Sequence, residues 1–345
     1  MEVLDIILNI LSSGLPCCLL ALGIFLTYRI LDFADLTAEG SFLLGACTAG
    51  VMIFNGVNPF LATLASIGVG AICGTITGVL NRYLKIPKLL SGIITLTASA
   101  SIALLIMGMA SGNAGLFKSQ ISFNVEKGGA SQTIYSLFTP YVYDEAFGIW
   151  RVLSPWGEII KIAIMAAVVA LAMLAIYFFF GTEYGMAIRA TGMSEKMAKA
   201  QGINTDVATI ICVAISNAII ALAGALYVQE AKSASAITAT GYLVIGLASI
   251  IVGEAVFGKR SFKNWIISVS LGSILYFIIV TIAIRLGLPT EFKSLLYAIL
   301  ITIALCIPFI KNGVNSIHLA RKRKSEINKL SEKGDTKDVG TQECK

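Results

Sequence analysis

The chain has 345 residues, 57% of them hydrophobic and only 13% charged, with a mean hydropathy of +0.84 and a formal net charge of +6. Soluble domains carry about a quarter charged residues, so this usage excludes an ordinary soluble domain and places the chain in a bilayer. A single histidine, His318, and seven cysteines with no C-x-x-C pair exclude a His/Cys metal site and a Ser-His-Asp triad built within the chain, and no cofactor is expected.

A hydrocarbon core of about 30 Å needs roughly 20 apolar helical residues per crossing. Nine runs are expected to cross, at 6–28, 37–56, 59–81, 87–110, 158–180, 207–230, 240–258, 263–285 and 292–310. The fold expected is therefore an all-α polytopic membrane protein of about nine transmembrane helices. The opening "MEVLD" is not basic and runs directly into the first span, so that span is expected to stay rather than be cleaved. Cytoplasmic loops carry the excess of Lys and Arg. With the amino terminus outside and the carboxyl terminus inside, 19 of the 26 Lys and Arg fall on the cytoplasmic side. Residues 1–311 then form the transmembrane domain, with an outer loop at 111–157 and a cytoplasmic loop at 181–206, followed by a basic, partly disordered cytoplasmic tail at 312–345.

Span two opens with "LDFADLTAEGSF". Asp35 or Thr37 can cap it and Glu39 can favour its dipole, or Glu39 can serve as an inner gate or contact an attached motor. The run "SFLLGA" (41–46) has a short counterpart, "YLVIGLA" (242–248), in span seven, as inverted repeats would have. Span three repeats Gly70, Gly74 and Gly78 at four-residue spacing, which lets helix backbones approach closely. Span four places Ser91, Thr95, Thr97, Ser99 and Ser101 at membrane depth, where hydroxyls can bond their own preceding turn. The outer loop is rich in aromatic residues and suits a folded cap near the headgroups, a landing place for a soluble partner.

The inner loop, "GTEYGMAIRATGMSEKMAKAQGINTD", reads as two short helices broken at Thr191-Gly192, the second capped by Ser194 and closed by Gly202. Met193, Met197, Ala198 and Gln201 are expected to share one face. In span six Asn217 needs a partner across a helix interface or a polar lumen, while Gln229 and Glu230 close its outer end. Glu254, near the end of span seven, is expected to pair with Lys259 or Arg260. Candidate pathway residues are thus Glu39, Ser41, Thr95, Ser99, Asn217 and Gln229.

The stretch "GEAVFGKRS" (253–261) has the glycine spacing and lysine of a phosphate-binding loop. Arg260 stands where that loop needs Ser or Thr, and the run before it is a membrane span rather than a soluble strand, so this chain is not expected to hydrolyse ATP. The basic run "ARKRKSEINK" suits cytoplasmic retention or anionic lipid, not nucleic acid.

Three stretches, "LDFADLTAEGSFLLGA" (31–46), "GMAIRATGMSEKMAKAQGIN" (185–204) and "VIGLASIIVGEAVFG" (244–258), resemble the permease subunits of bacterial ABC importers of the branched-chain amino acid and ribose type. Within that family the similarity is to permeases of tryptophan or tyrosine uptake. The resemblance implies that the inner loop docks into a separate ATPase, with Arg189, Ala190, Thr191, Gly192, Met197, Ala198, Gly202, Ile203 and Asn204 matching the coupling pattern. It also implies a bacterial plasma-membrane location, a second permease copy, an extracytoplasmic solute-binding protein and an amino-acid-like substrate. The residues alone leave open a proton-coupled secondary transporter using Glu39 or Glu254, and a membrane enzyme, for which no catalytic cluster is visible.

Overall fold

The computed structural model describes residues 2–110, 120–122, 132–138, 141–144, 149–152, 156–235, 241–285 and 302. The chain divides into Met1–Tyr297 and Ala298–Lys345, and every element below belongs to the first unit. The ninth expected span, the tail and much of the outer loop lie outside the described residues.

In chain order the helices are α1 (Glu2–Phe25), continued by a π turn (Leu26–Ile30), then α2 (Thr37–Phe54), α3 (Pro59–Arg82) and α4 (Lys88–Ala110). Strand β1 (Gln120–Ser122), α5 (Ile134–Phe138), β2 (Tyr141–Asp144) and β3 (Ile149–Val152) follow. The chain continues through α6 (Trp156–Phe179), α7 (Glu183–Met193), α8 (Glu195–Ala200), α9 (Thr205–Ala231), β4 (Ser233–Ser235), α10 (Tyr242–Phe257) and α11 (Phe262–Arg285). Among the described residues seven helices are long and apolar enough to cross a membrane. The seventh expected span, 240–258, differs: α10 has only 16 residues, about 24 Å at 1.5 Å per residue, and falls short of a full crossing. The all-helical expectation also missed four short strands, which pair antiparallel as β1 with β4 and β2 with β3.

Helix starts follow local chemistry. Asn58 accepts a hydrogen bond from the Phe60 N–H at 2.9 Å and Pro59 opens α3, while Asn204 accepts from the Val207 N–H at 3.2 Å to open α9. The bundle is built around α9, which packs against α1, α2 and α3. Gly70, Gly74 and Gly78 of α3 lie directly on α9 at Asn217 and Ala221, at Val213 and Ala214, and at Ile210. The four-residue glycine repeat therefore serves close packing. By contrast α6, with a mean hydropathy of 2.7, has only 17% of its span buried within the chain, so its apolar surface is left to lipid or another chain. The five cysteines within the described residues are buried free thiols.

Candidate functional site

Two features converge near the π turn. The first is a recessed junction between helix ends. Where α1 stops, Leu31 and Phe33 donate backbone hydrogen bonds to the Leu26 and Thr27 carbonyls at 3.1 and 2.9 Å, and Asp32 takes a left-handed φ of 52°. The chain then turns back into the bundle instead of leaving it. Leu36 rests against Gly92 of α4. Asp35, buried, accepts from Asn217 Nδ2 at 2.7 Å and from the Thr37 N–H at 2.8 Å, so one carboxylate holds the first N–H of α2 and ties it to the middle of α9. Thr37 shares a 2.7 Å hydrogen bond with Thr77, five residues before the end of α3, which sets the start of α2 about 8 Å inside that end.

Helix α10 begins at the same junction. It runs beside α1, with Gly246 against Leu20 and Ile24 and Glu254 beside Arg29, so its start is also deep in the bundle. Glu39 Oε1, half a turn into α2, accepts the Gly241 N–H at 3.0 Å. Helices α2 and α10 run in opposite directions, and their first turns meet at this carboxylate. Unpaired N–H groups at a helix start carry partial positive charge, and Glu39 is placed to offset it at both. Beside the junction Phe42 stacks on Tyr242, ring centroids 4.4 Å apart, and Tyr227 lies 5.8 and 5.6 Å from the two rings.

The second feature is a knob made by α7 and α8. Thr182 caps α7 through the Gly185 N–H and Ser194 caps α8 through the Met197 N–H. The break falls at Ser194, not at Thr191-Gly192 as expected. Thr191 returns its hydroxyl to the Ala187 carbonyl at 2.8 Å, and Gly192 is helical and sits on the Ile30 carbonyl, where any side chain would collide. Three further contacts fix the knob to the bundle. Gly185 lies on the backbone of Phe179 and Phe180, Arg189 lies 4.8 Å above the Phe262 ring, and Asn204 leads directly into α9. Glu195 bonds Arg82 of α3 at 2.7 Å and Lys199 at 3.0 Å. Those bonds, Lys199 first, hold the Glu195 carboxyl below its usual range.

The outward side of the knob is apolar. Met193 is 90% exposed, Met197 64%, Tyr184 68% and Met186 54%. Met186 and Met193 are seven residues apart and share a helix face. Ala198 was expected on that face but is buried, turned toward the bundle with Ile188 and Thr191.

The sequence pattern of the family described as "branched-chain amino acid transport system / permease component" matches residues 6–305. The chain belongs to this permease family. A tyrosine transport system permease protein of Clostridioides difficile (strain R20291) is 31% identical over 328 residues, 95% of this chain and 98% of that one. A galactofuranose transporter permease protein of Escherichia coli (strain K12) is 23% identical and covers 88% of this chain and 79% of its own. A probable branched-chain amino acid transport permease protein of Methanocaldococcus jannaschii is 26% identical over 75% of this chain and 77% of its own. The family is one of transport subunits, and this permease is a multi-pass protein of the plasma membrane.

In the permease most of the expected pathway residues are packed between helices of one chain. Asn217 is bonded to Asp35, and Gln229 joins Thr63 of α3 at 2.9 Å to the Ile134 N–H of α5 at 2.9 Å. Thr95 receives the Thr77 hydroxyl at 2.9 Å, Ser99 returns to Leu96 and abuts Gly40, and Ser41 is fully buried. Of that set Glu39 alone bonds the first turn of α10, while Asn217 reaches the junction through Asp35. Glu254 does not pair with Lys259 or Arg260: it bonds Arg29 Nη2 at 2.6 Å and Trp265 Nε1 at 2.8 Å, because Gly258, at φ 75°, turns the chain away and α1 is the nearer neighbour. Two grooves at membrane depth along α6, of about 610 and 380 Å³, are almost wholly apolar, lined by residues such as Leu171, Leu222 and Val168. They suit acyl chains or apolar helices rather than a polar solute.

Sequence reasoning named Asp35 only as a helix cap and passed over Arg29, Tyr227 and Tyr242. The "LDFAD" run before Thr37 signals the cap. Nothing in the sequence signals that the stretch turns inward to reach Asn217.

Proposed function

We propose that the chain is the membrane-spanning permease of an ABC importer, moving a small amino-acid-like solute, with an aromatic amino acid favoured by its likeness to the tyrosine transport permease. The observation that carries coupling is the knob. Exposed methionines on a charged, non-membrane surface form an adaptable apolar patch that a soluble partner would cover. In this reading the partner is a separate ATPase at the cytoplasmic face, a second permease copy completes the pathway, and a solute-binding protein delivers from outside. Thr191, Gly192, Ala198, Gly202, Ile203 and Asn204 shape the knob, while Met193 and Met197 make the contact.

The mechanism follows from connectivity. A push on α7 falls on Ile30 through Gly192, and nine residues later the same chain reaches Glu39. Asp35 fixes the start of α2, and Glu39 holds the first turn of α10. Motion of the knob is thereby delivered to a place where two helix starts meet inside the bundle, and buried two-state elements of this kind shift with ligand state. The aromatic cluster of Phe42, Tyr227 and Tyr242 lies against that junction and would move with it.

Co-purification tests the reading. Wild-type permease is expected to retain an ATP-binding subunit, and Met193→Glu with Met197→Glu to lose it while remaining monodisperse. Retention by the double variant would sink the assignment of the contact. Uptake that stops with an uncoupler but continues without the ATPase would instead establish a proton-driven carrier.

A further inference from the structure

A cavity of about 530 Å³ opens at the knob end of the bundle between α6, α7 and the start of α11. Its walls include Tyr177, Phe178, Arg189, Ser261, Phe262 and Lys263. Both cations are stacked on rings, Arg189 over Phe262 at 4.8 Å and Lys263 over Tyr177 at 4.9 Å. Stacking of this kind holds a guanidinium or ammonium at a fixed place without neutralising it. Among the described residues neither cation has an ion-pair partner. The first turn of α11 contains Lys263 and no acid, so its charge has the same sign as the helix start it occupies. Two cations and a helix start thus converge on one cavity, with no carboxylate among the described residues that line it.

From this arrangement we infer that the cavity binds the phosphate of an anionic phospholipid headgroup. The division of its walls selects a lipid over a soluble anion. Arg189, Lys263 and the Ser261 hydroxyl stand on the polar side. Phe178, 69% exposed, continues the wall onto α6, whose mean hydropathy is 2.7 and whose surface is mostly unburied. A headgroup at the cations would lay its acyl chains along that helix, which a free phosphate could not use. The site also gives Arg189 an occupation distinct from the ATPase contact: a bound lipid would bridge α7 and α11 and stiffen the seat of the knob. The leaflet supplying the lipid rests on the cytoplasmic placement of the knob, whereas the site itself does not.

Native mass spectrometry on detergent-purified permease tests the inference, with phosphatidylglycerol, phosphatidylcholine or inorganic phosphate added in separate arms. Wild type is expected to retain one phosphatidylglycerol and to show no comparable retention of phosphatidylcholine. Arg189→Gln and Lys263→Gln should each weaken retention by about fivefold, the effect of about 1 kcal/mol per surface cation near an anionic lipid. Both positions are exposed, and a monodisperse profile on size exclusion confirms that each variant is folded. Lys259→Gln with Arg260→Gln, which removes nearby charge outside the cavity, should retain lipid as wild type does. Equal retention in all variants, equal loss in the control pair, or displacement of the lipid by millimolar inorganic phosphate would each overturn the assignment. ATPase co-purification, measured on the same samples, reports separately on the coupling reading.

Discussion

Replacing Gly192 by alanine adds one carbon at the seat of α7. That carbon would fall within bonding distance of the Ile30 carbonyl oxygen and 3.0 Å from Leu31 Cα. Ordinary contact requires about 3.5 Å, so α7 must retreat from the π turn by well over an ångström. Overpacking of this kind costs about 1–3 kcal/mol, partly offset by the helix preference of Ala over Gly, about 1 kcal/mol. The net expectation is destabilisation of up to about 2 kcal/mol. Gly68→Ala in α3 is the matched control, because no atom lies within 4 Å of its added carbon and only the helix preference remains. Thermal unfolding in detergent should show a lower midpoint for Gly192→Ala and an equal or higher one for Gly68→Ala. In proteoliposomes containing the ATPase, Gly192→Ala should bind the ATPase normally but move at least fivefold less solute per ATP. Wild-type midpoint and wild-type transport in Gly192→Ala would refute the claim that this contact seats and transmits.

Three further outcomes follow from the geometry. Glu39→Gln keeps an acceptor for the Gly241 N–H and should keep most transport, whereas Glu39→Ala frees the start of α10 and should lose most of it; uptake assays decide, and equal loss in both would point to proton carriage by Glu39. The Glu195 carboxyl is held below its usual value of 4.5, so its bonds to Lys199 and Arg82 add stability that is complete above that value and lost as pH falls through the lower, folded-state value. Wild type should therefore lose knob protection against proteolysis below about pH 4.5, while Glu195→Gln should show a weaker knob already at pH 7 and no such acid step. Gly74→Val would drive a branched side chain into the Val213 carbonyl and Ala214, and should separate α3 from α9 at a cost of at least about 3 kcal/mol, read as loss of monodisperse protein.

The parts of the fold that depend on composition were visible in the sequence. Seven of the nine expected spans, the glycine face of α3 and the Ser194 cap of the second inner-loop helix all follow from periodicity and cap chemistry. What escaped was decided by contacts between distant segments. The helix break expected at Thr191-Gly192 falls at Ser194, whose extended backbone ends α7 and whose hydroxyl caps α8. Glu254 was paired by proximity in sequence with Lys259 and Arg260, whereas the packing of α10 on α1 brings Arg29 closer. The span expected at 240–258 proved short because α10 begins at Glu39, inside the bundle, and a hydropathy window cannot register depth. Polar residues such as Asn217 and Gln229 were recognised as needing partners, but only the fold could supply Asp35 and Thr63.

The five-residue π turn at the end of α1 has a mechanical meaning. A π turn carries one residue more than an α turn, and each residue of an α-helix advances the direction of its side chain by about 100°. Returning Leu26–Ile30 to α-helical winding would pass that surplus residue into the 31–36 connection and swing Arg29 away from Glu254. In the proposed cycle such rewinding would give slack at the joint between knob and junction, letting α2 change its setting by one turn while the glycine-packed pair of α3 and α9 stays whole.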